Sequence, residues 1–391
     1  MPVTRRSPMS IAPHVESSVR EASGHPGAQV IQLTSAAYLH THIYPEAPVF
    51  TPDSRRFVYA RFAALDQPRQ YWLCDLTSHC LSPLTDEPSV YGPVVTPGGQ
   101  FLLYMALDED DPRNPAVELR RLSLEHPDQG SEALWRREGL RQPYGLGTVS
   151  HEGRFYATKV SLPNGSAGIL VVDVDARAGR VVHEHPELFN AHPQFEPSAS
   201  RDLLLQHNRG GVLDSAGRIQ RVVGEEGATL YVIEREGTNA RPLPIGAPHT
   251  PSCQGHQVWQ GASGRVLATV THNFRDASGR EGNLLSVAPG EGRPTTVSGD
   301  YHFTHVAASP DGRYFVCDVA PAGTIVVGST ATGTTRVFCE SGASFGRPQY
   351  THPHPFFSPD LSHILFNSDR TGLAQIYAAR VPPGFLDELD P

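Results

Sequence analysis

One pattern recurs along this chain and restricts its fold more than any other feature: a short apolar strand, a turn of the Ser-Pro-Asp-Gly kind, then a second apolar strand. There are seven copies. The first three are Phe50-Thr51-Pro52-Asp53 before Phe57-Val58-Tyr59, Val95-Thr96-Pro97-Gly98-Gly99 before Phe101-Leu102-Leu103-Tyr104, and Val149-Ser150-His151-Glu152-Gly153 before Phe155-Tyr156. Phe195-Glu196-Pro197 before Leu203-Leu204-Leu205 and Trp259-Gln260-Gly261-Ala262-Ser263-Gly264 before Val266-Leu267-Ala268 follow. The last two are Ser309-Pro310-Asp311-Gly312 before Tyr314-Phe315-Val316 and Ser358-Pro359-Asp360 before Ile364-Leu365-Phe366. Proline presets the first turn dihedral and Asp or Gly accepts the next, so each copy predicts a hairpin. Further strand candidates lie between the copies, at residues 71–76, 168–174, 229–233 and 375–379, which gives each repeat three or four strands. The repeat length of about 45 to 65 residues is that of a four-stranded antiparallel propeller blade. The expected fold is all-β, a seven-bladed β-propeller.

The last repeat runs out at Pro391 without an obvious fourth strand, while Val30-Ile31-Gln32-Leu33-Thr34 precedes the first full repeat. That segment is expected to complete the seventh blade and close the ring, removing open sheet edges; the alternative is a disordered arm continuing the first residues. The expected division is a flexible arm over 1–27, one propeller domain over 28–385, and a tail over 386–391. Residues 1–27 hold no apolar stretch long enough for a secretory core or a membrane span, so a cytoplasmic location without membrane attachment is expected. The formal net charge of -9 gives no basic footprint for nucleic acid. Cys74, Cys80, Cys253, Cys317 and Cys339 are odd in number and lack paired-ligand spacing, which fits free thiols that serve as packing residues. A closed propeller needs no partner for stability, so a monomer or weak homodimer is expected.

Gln349-Tyr350-Thr351-His352-Pro353-His354 puts three metal-competent side chains just ahead of the seventh turn. In an extended segment His352 and His354 point to one face and can share an ion, although a His-x-His on an exposed strand can equally be solvated. Imidazoles with a Gln carbonyl oxygen suit manganese or a similar divalent metal. Counting back five residues from the turn proline gives His192 from Pro197, His305 from Pro310 and His354 from Pro359, with His256 at nearly the same place ahead of its own turn. His40 and His42 lie somewhat further upstream of the first turn. Equivalent positions in a propeller converge on the axis, so these histidines are expected to cluster. A metal that does chemistry keeps positions open. The expected ligand set is therefore His305, Gln349, His352 and His354, which leaves His256 as a base, a fifth ligand or a wall residue. His192 and Tyr350 are candidate substrate contacts.

Gly255-His256-Gln257-Val258-Trp259, His305 ahead of its turn, and Gln349 to His354 together with Phe366-Asn367-Ser368-Asp369 resemble the oligogalacturonate lyases, cytoplasmic seven-bladed propellers that degrade pectin fragments. The resemblance spans the chain but is concentrated in its last three repeats. It implies a manganese-like ion on His305, Gln349, His352 and His354, with His256 as the base of a β-elimination on an oligogalacturonate or another uronate-containing oligosaccharide. Arg209, in Gln206-His207-Asn208-Arg209-Gly210-Gly211, is the candidate partner for the substrate's other carboxylates, with His207 beside it; the alternative is an ordinary surface charge. The fourth repeat departs from the family. The arginine expected just ahead of an apolar strand is replaced by Thr229 before Leu230-Tyr231-Val232, and residues 210–227 are longer. The rival reading is a non-catalytic TolB-like propeller that binds a peptide or sugar.

Overall fold

A computed structural model describes residues 12–20, 27–64, 67–108, 115–188, 190–214, 219–346 and 348–390. All seven turn copies close as hairpins through a backbone bond that returns to the residue before the turn: Arg56 O accepts from Thr51 N, Phe101 O from Thr96 N and Phe155 O from Ser150 N. Asp202 O, Arg265 O, Tyr314 O and His363 O do the same for Glu196, Gln260, Ser309 and Ser358. In five copies the Ser or Thr at the turn entrance adds a side-chain bond, its hydroxyl accepting the amide five residues on at 2.9 to 3.2 Å. That hydroxyl is why the turns begin with Ser or Thr.

The strands form antiparallel sheets taken in chain order. The first holds Leu39–His42, Arg56–Phe62, Gln70–Asp75 and Cys80–Pro83; the second runs from Val90–Val95 to Ser131–Glu138 and the third from Arg141–Val149 to Ala178–His185. Residues 194–298 make an eight-stranded sheet, whose two halves meet only at the pair Ala228 and Cys253. A sheet from Val306–Ala308 to Thr335–Glu340 follows, then one built on Phe356–Phe357, His363–Ser368 and Gln375–Arg380. Val30–Gln32 pairs with Gln375–Arg380 in that last sheet, Val30 opposite Ala379.

Strands near the middle of each sheet are apolar at consecutive positions because both faces are covered. Along Phe101–Asp108, Leu102, Tyr104 and Ala106 enter one core and Leu103 and Met105 the next. The cores link each sheet to its successor, and one of them joins Val316 and Phe338 to Phe356, Phe366, Phe57 and Tyr104, so the packing returns from the last sheet to the first. The turns touch as well. A Cβ on Gly312, whose φ is +72°, would sit 2.4 Å from Gln260 O in the preceding turn, and Asp360 N donates to Ser54 Oγ across the join between last and first sheets.

The segment expected to be a flexible arm does more than that over its described part. His14–Val15 pairs with Cys80–Pro83 on the first sheet and Ser18–Arg20 with Val30–Gln32 on the last, while Glu16 between them accepts the amides of Ser35 and Ala36 at 2.7 and 2.8 Å. Two free edges thereby gain a strand each. Residues 1–11 and 21–26 lie outside the described residues. In the expected tail, Leu389 is fully buried. All five cysteines are free and four are buried. Among the described residues, no helix is long and apolar enough to cross a membrane.

Candidate metal centre

His305 stands immediately before the strand Val306–Ala308, and His352 and His354 precede Phe356–Phe357. The expected extended segment is not what joins the latter two. Gln349–Thr351 form a 3-10 turn, His352 is extended, and His354 is left-handed with φ +45°. The strand is interrupted because tertiary bonds take the backbone groups: His354 N donates to Asp318 Oδ2 at 3.2 Å and Asn367 N to Pro353 O at 2.9 Å. A left-handed non-glycine residue costs on the order of 1 kcal/mol and clusters at functional sites. His192 has the same φ of +45° at the equivalent distance from its own turn proline, and both are followed by proline.

One ring nitrogen from each of His305, His352 and His354 lies within 4.8 Å of the others. Hydrogen bonds decide which nitrogens these can be. His305 Nδ1 donates to Asp318 at 2.8 Å, His352 Nε2 to Gly346 O at 2.8 Å and His354 Nδ1 to His352 O at 3.2 Å. His305 Nε2, His352 Nδ1 and His354 Nε2 remain, and the last two are buried with no partner among the described residues. A buried lone pair without a donor is costly, and three converging ones are what a cation satisfies. An imidazole whose far N–H is held by a carboxylate or carbonyl is the usual way a protein aims a metal ligand. These residues therefore fit a divalent metal. Burial holds His354 well below the ordinary histidine range, with His305 adding to it, so its imidazole is neutral, as ligation requires.

His256 arrives from the strand Cys253–Trp259, where pairing with the next strand breaks between Cys253 and Gln257. His256 lies in that bulge, which turns it out of the sheet alternation. Its ring is 4.1 Å from that of His305, and its Nδ1 donates to Thr304 O at 3.1 Å, leaving Nε2 as the basic nitrogen. Burial first and the neighbouring His305 second keep it unprotonated near neutrality.

Three residues the sequence reading missed complete the surroundings. Asp318, fully buried, accepts from His305 Nδ1, His305 N and His354 N, and so positions two imidazoles at once. A lone acid inside the apolar strand Tyr314–Val319 was its signal. Tyr44 lies with its ring 4.6 Å from His354, 5.2 Å from His192, 6.4 Å from His256 and 6.5 Å from His305. Glu46, two residues on, holds His192 Nδ1 at 2.5 Å. Burial and Glu46 raise the Tyr44 phenol well above its ordinary value, so it stays neutral. Both residues follow the first-sheet histidines, outside any count back from the turn.

The remaining candidates fall in different places. Gln349 is exposed at the start of its 3-10 turn. Tyr350 packs on Leu39, Phe62 and Ala374. Both nitrogens of His42 face carbonyl oxygens, of Ile43 and Pro353, so it offers no lone pair to the centre, although its ring is 6.2 Å from His354. His40 is buried beside Tyr59, its pKa lowered to about 4 by burial and by Arg61. His207 faces the third sheet, its ring 4.3 Å from His185, and Arg209 Nε donates to Thr229 Oγ1 at 3.3 Å.

No family model matches this chain. It is 23% identical to an oligogalacturonide lyase of Pectobacterium atrosepticum and, equally, to an oligogalacturonate lyase of Dickeya dadantii, with 91% of this chain and 94% of each relative covered. A solved oligogalacturonate lyase in complex with manganese superposes with a TM-score of 0.73 at 19% identity, covering 95% of this chain and 99% of its own. The β-propeller domain of Myceliophteria thermophila Cps50 (Swd1) gives 0.53 at 11% identity over 94% of this chain and all of that domain. At the level of fold, the chain is all-β and of the β-propeller kind.

Proposed function

We propose that this chain is a seven-bladed propeller lyase that cleaves short oligogalacturonates, or a related oligouronide, by β-elimination with the help of a divalent metal, most plainly manganese. The observation that carries the reading is the set of bare, converging nitrogens on His305, His352 and His354 beside the fixed base nitrogen of His256. The near full-length similarity to oligogalacturonate lyases supports the substrate class, and the manganese complex of the solved relative supports the metal. His305, His352 and His354 would hold the ion, with Gln349, at the start of the 3-10 turn that leads into His352, as fourth ligand. When bound, the metal would neutralise a uronate carboxylate and the charge that develops beside it during proton abstraction.

The chain's own groups do the rest. His256 Nε2 takes the C5 proton, whose loss expels the C4 glycosidic oxygen and leaves a 4,5-unsaturated uronate; no water is consumed. Because its proton-bearing nitrogen is held by Thr304 O, the ring cannot turn its lone pair away from that task. His192, braced by Glu46, and Tyr44 line the same space, and the neutral phenol of Tyr44 offers a donor to substrate hydroxyl or carboxylate oxygens. Arg209 is the proposed partner for a further carboxylate. The histidine-rich centre does not match glycoside hydrolysis, which uses two flanking carboxylates.

The test is incubation with digalacturonate and manganese while following the ultraviolet absorbance of the new double bond. His256→Ala is expected to lower turnover by about 10²- to 10⁴-fold, with metal content unchanged. No absorbance rise in the wild type, together with no metal by elemental analysis, would leave a non-catalytic propeller that binds peptide or sugar.

A further inference from the structure

A second group of basic side chains lies between the third and fourth sheets. On the third sheet Lys159, Ile169 and His183 form one cross-strand row and Ser161, Ala167 and His185 the next, so all six side chains share the face turned to the fourth sheet. From the fourth sheet His207 and Tyr231 meet them. The His207 ring lies 4.3 Å from His185 and 4.1 Å from Tyr231, and His183 Nε2 is 3.0 Å from the Tyr231 hydroxyl. Arg209 stands at the open end against Thr229.

This group is rich in donors and poor in counter-charge. Lys159 is largely buried and reaches only Ser161 Oγ, at 3.3 Å; burial lowers its pKa to about 8 with no charged neighbour contributing. Among the described residues neither Lys159 nor Arg209 forms an ion pair, while most other arginines of these sheets do. His207 Nε2 is buried and has no partner, and burial, with His185 and Arg209 adding to it, lowers its pKa to about 3. Among the described residues, the acid beside this group is Glu187. Its amide donates to His185 Nδ1 at 3.1 Å, and its carboxylate is taken by the Gly210 amide at 2.7 Å. The three imidazoles do not converge as metal ligands do, since only His305, His352 and His354 bring their nitrogens that close among the described residues. An ammonium, a guanidinium and imidazole groups beside an unsatisfied ring nitrogen fit an oxyanion instead.

The group also connects to the metal centre. Asn208, next to His207, accepts from Asn190 N at 3.2 Å; the Tyr144 hydroxyl donates to Asn190 Oδ1 at 2.6 Å; and the Tyr144 ring is 5.9 Å from that of His192. We propose that the basic group of Lys159, His183, His185, His207 and Arg209, exposed at its Arg209 end, is an anion subsite for the carboxylate of a third uronate residue, beyond the pair being cleaved. The proposal rests on the lyase reading for its ligand. It makes the enzyme a reader of chain length as well as of uronate chemistry.

Metal-loaded His256→Ala protein binds substrate without consuming it and can be titrated calorimetrically with digalacturonate, trigalacturonate and inorganic phosphate. Trigalacturonate is expected to bind about tenfold tighter than digalacturonate, and Arg209→Ala, or His183→Ala with His207→Ala, to remove that advantage. Equal affinity for the two oligouronides in the parent protein overturns the subsite without needing any folded variant. An advantage that survives both sets of substitutions overturns it too, as does phosphate binding that these substitutions abolish with no trigalacturonate advantage. Binding of neither oligouronide would instead strike at the lyase reading itself.

Discussion

His305, His352 and His354 each donate one ring N–H to a fixed acceptor and keep the other nitrogen bare and converging, whereas His183 bonds a phenol, His185 accepts an amide proton and His207 stacks between a ring on either side. Both groups are three histidines drawn from neighbouring sheets. What separates them is the partner of the far nitrogen. At the first group a carboxylate and two carbonyls fix the proton, so the lone pairs face inward and repel unless a cation arrives. At the second, among the described residues, no carboxylate is hydrogen-bonded to a ring nitrogen and the Arg209 charge stands beside His207, so an anion is the missing partner.

The sharpest way to break this comparison is to remove one member of each group and count metal. His354→Ala is expected to abolish stoichiometric manganese binding, while His207→Ala keeps one ion per chain, both read by elemental analysis after gel filtration. Retention of metal by His354→Ala, or its loss from His207→Ala, would erase the distinction. Unfolding curves for the two variants show whether either result merely reports a misfolded chain.

A smaller effect is expected from Asp318→Asn, which keeps the shape but removes the charge. His305 Nδ1, His305 N and His354 N all donate to that carboxylate. An amide cannot fix the His305 tautomer as firmly, because its own NH2 competes for the same space. Manganese affinity should fall by about 10- to 100-fold, the usual size for such supporting groups. Unchanged affinity would mean that the imidazoles are aimed by the backbone alone.

The turns were the most legible part of the chain, since proline, Asp and Gly act within a few residues and Ser or Thr closes the same loop in five of the seven copies. The pairing of Val30–Gln32 with the last sheet could be read because that sheet lacked a strand. The count back to His192, His305 and His354 has a related basis: the turn fixes the register of the strand before it, and in His192 and His354 even the left-handed backbone repeats. The reason given for His352 and His354 sharing a face was wrong in its mechanism, because long-range bonds to Asp318 and Asn367 override the local strand geometry. Tyr44, Glu46 and Asp318 could not be reached by any repeat argument. Tyr44 and Glu46 act on histidines of other sheets, so their roles exist only after the sheets have packed, while Asp318 holds His305 in its own sheet and reaches His354 of the next.

The smallest expected effect tests the basic group. The Thr229 hydroxyl accepts from Arg209 Nε at 3.3 Å, so the guanidinium is held against the strand that pairs with its own. Thr229→Val keeps the volume and removes the acceptor. This long, charge-assisted hydrogen bond contributes about 1 to 1.5 kcal/mol, or up to about tenfold in affinity. The loss should appear in KM for trigalacturonate with kcat for digalacturonate and manganese content unaltered, because the hydroxyl touches neither the base nor the ligands. A change in kcat or in metal content would place Arg209 within the reacting centre rather than beside it, and the two histidine groups would then have to be read as one site.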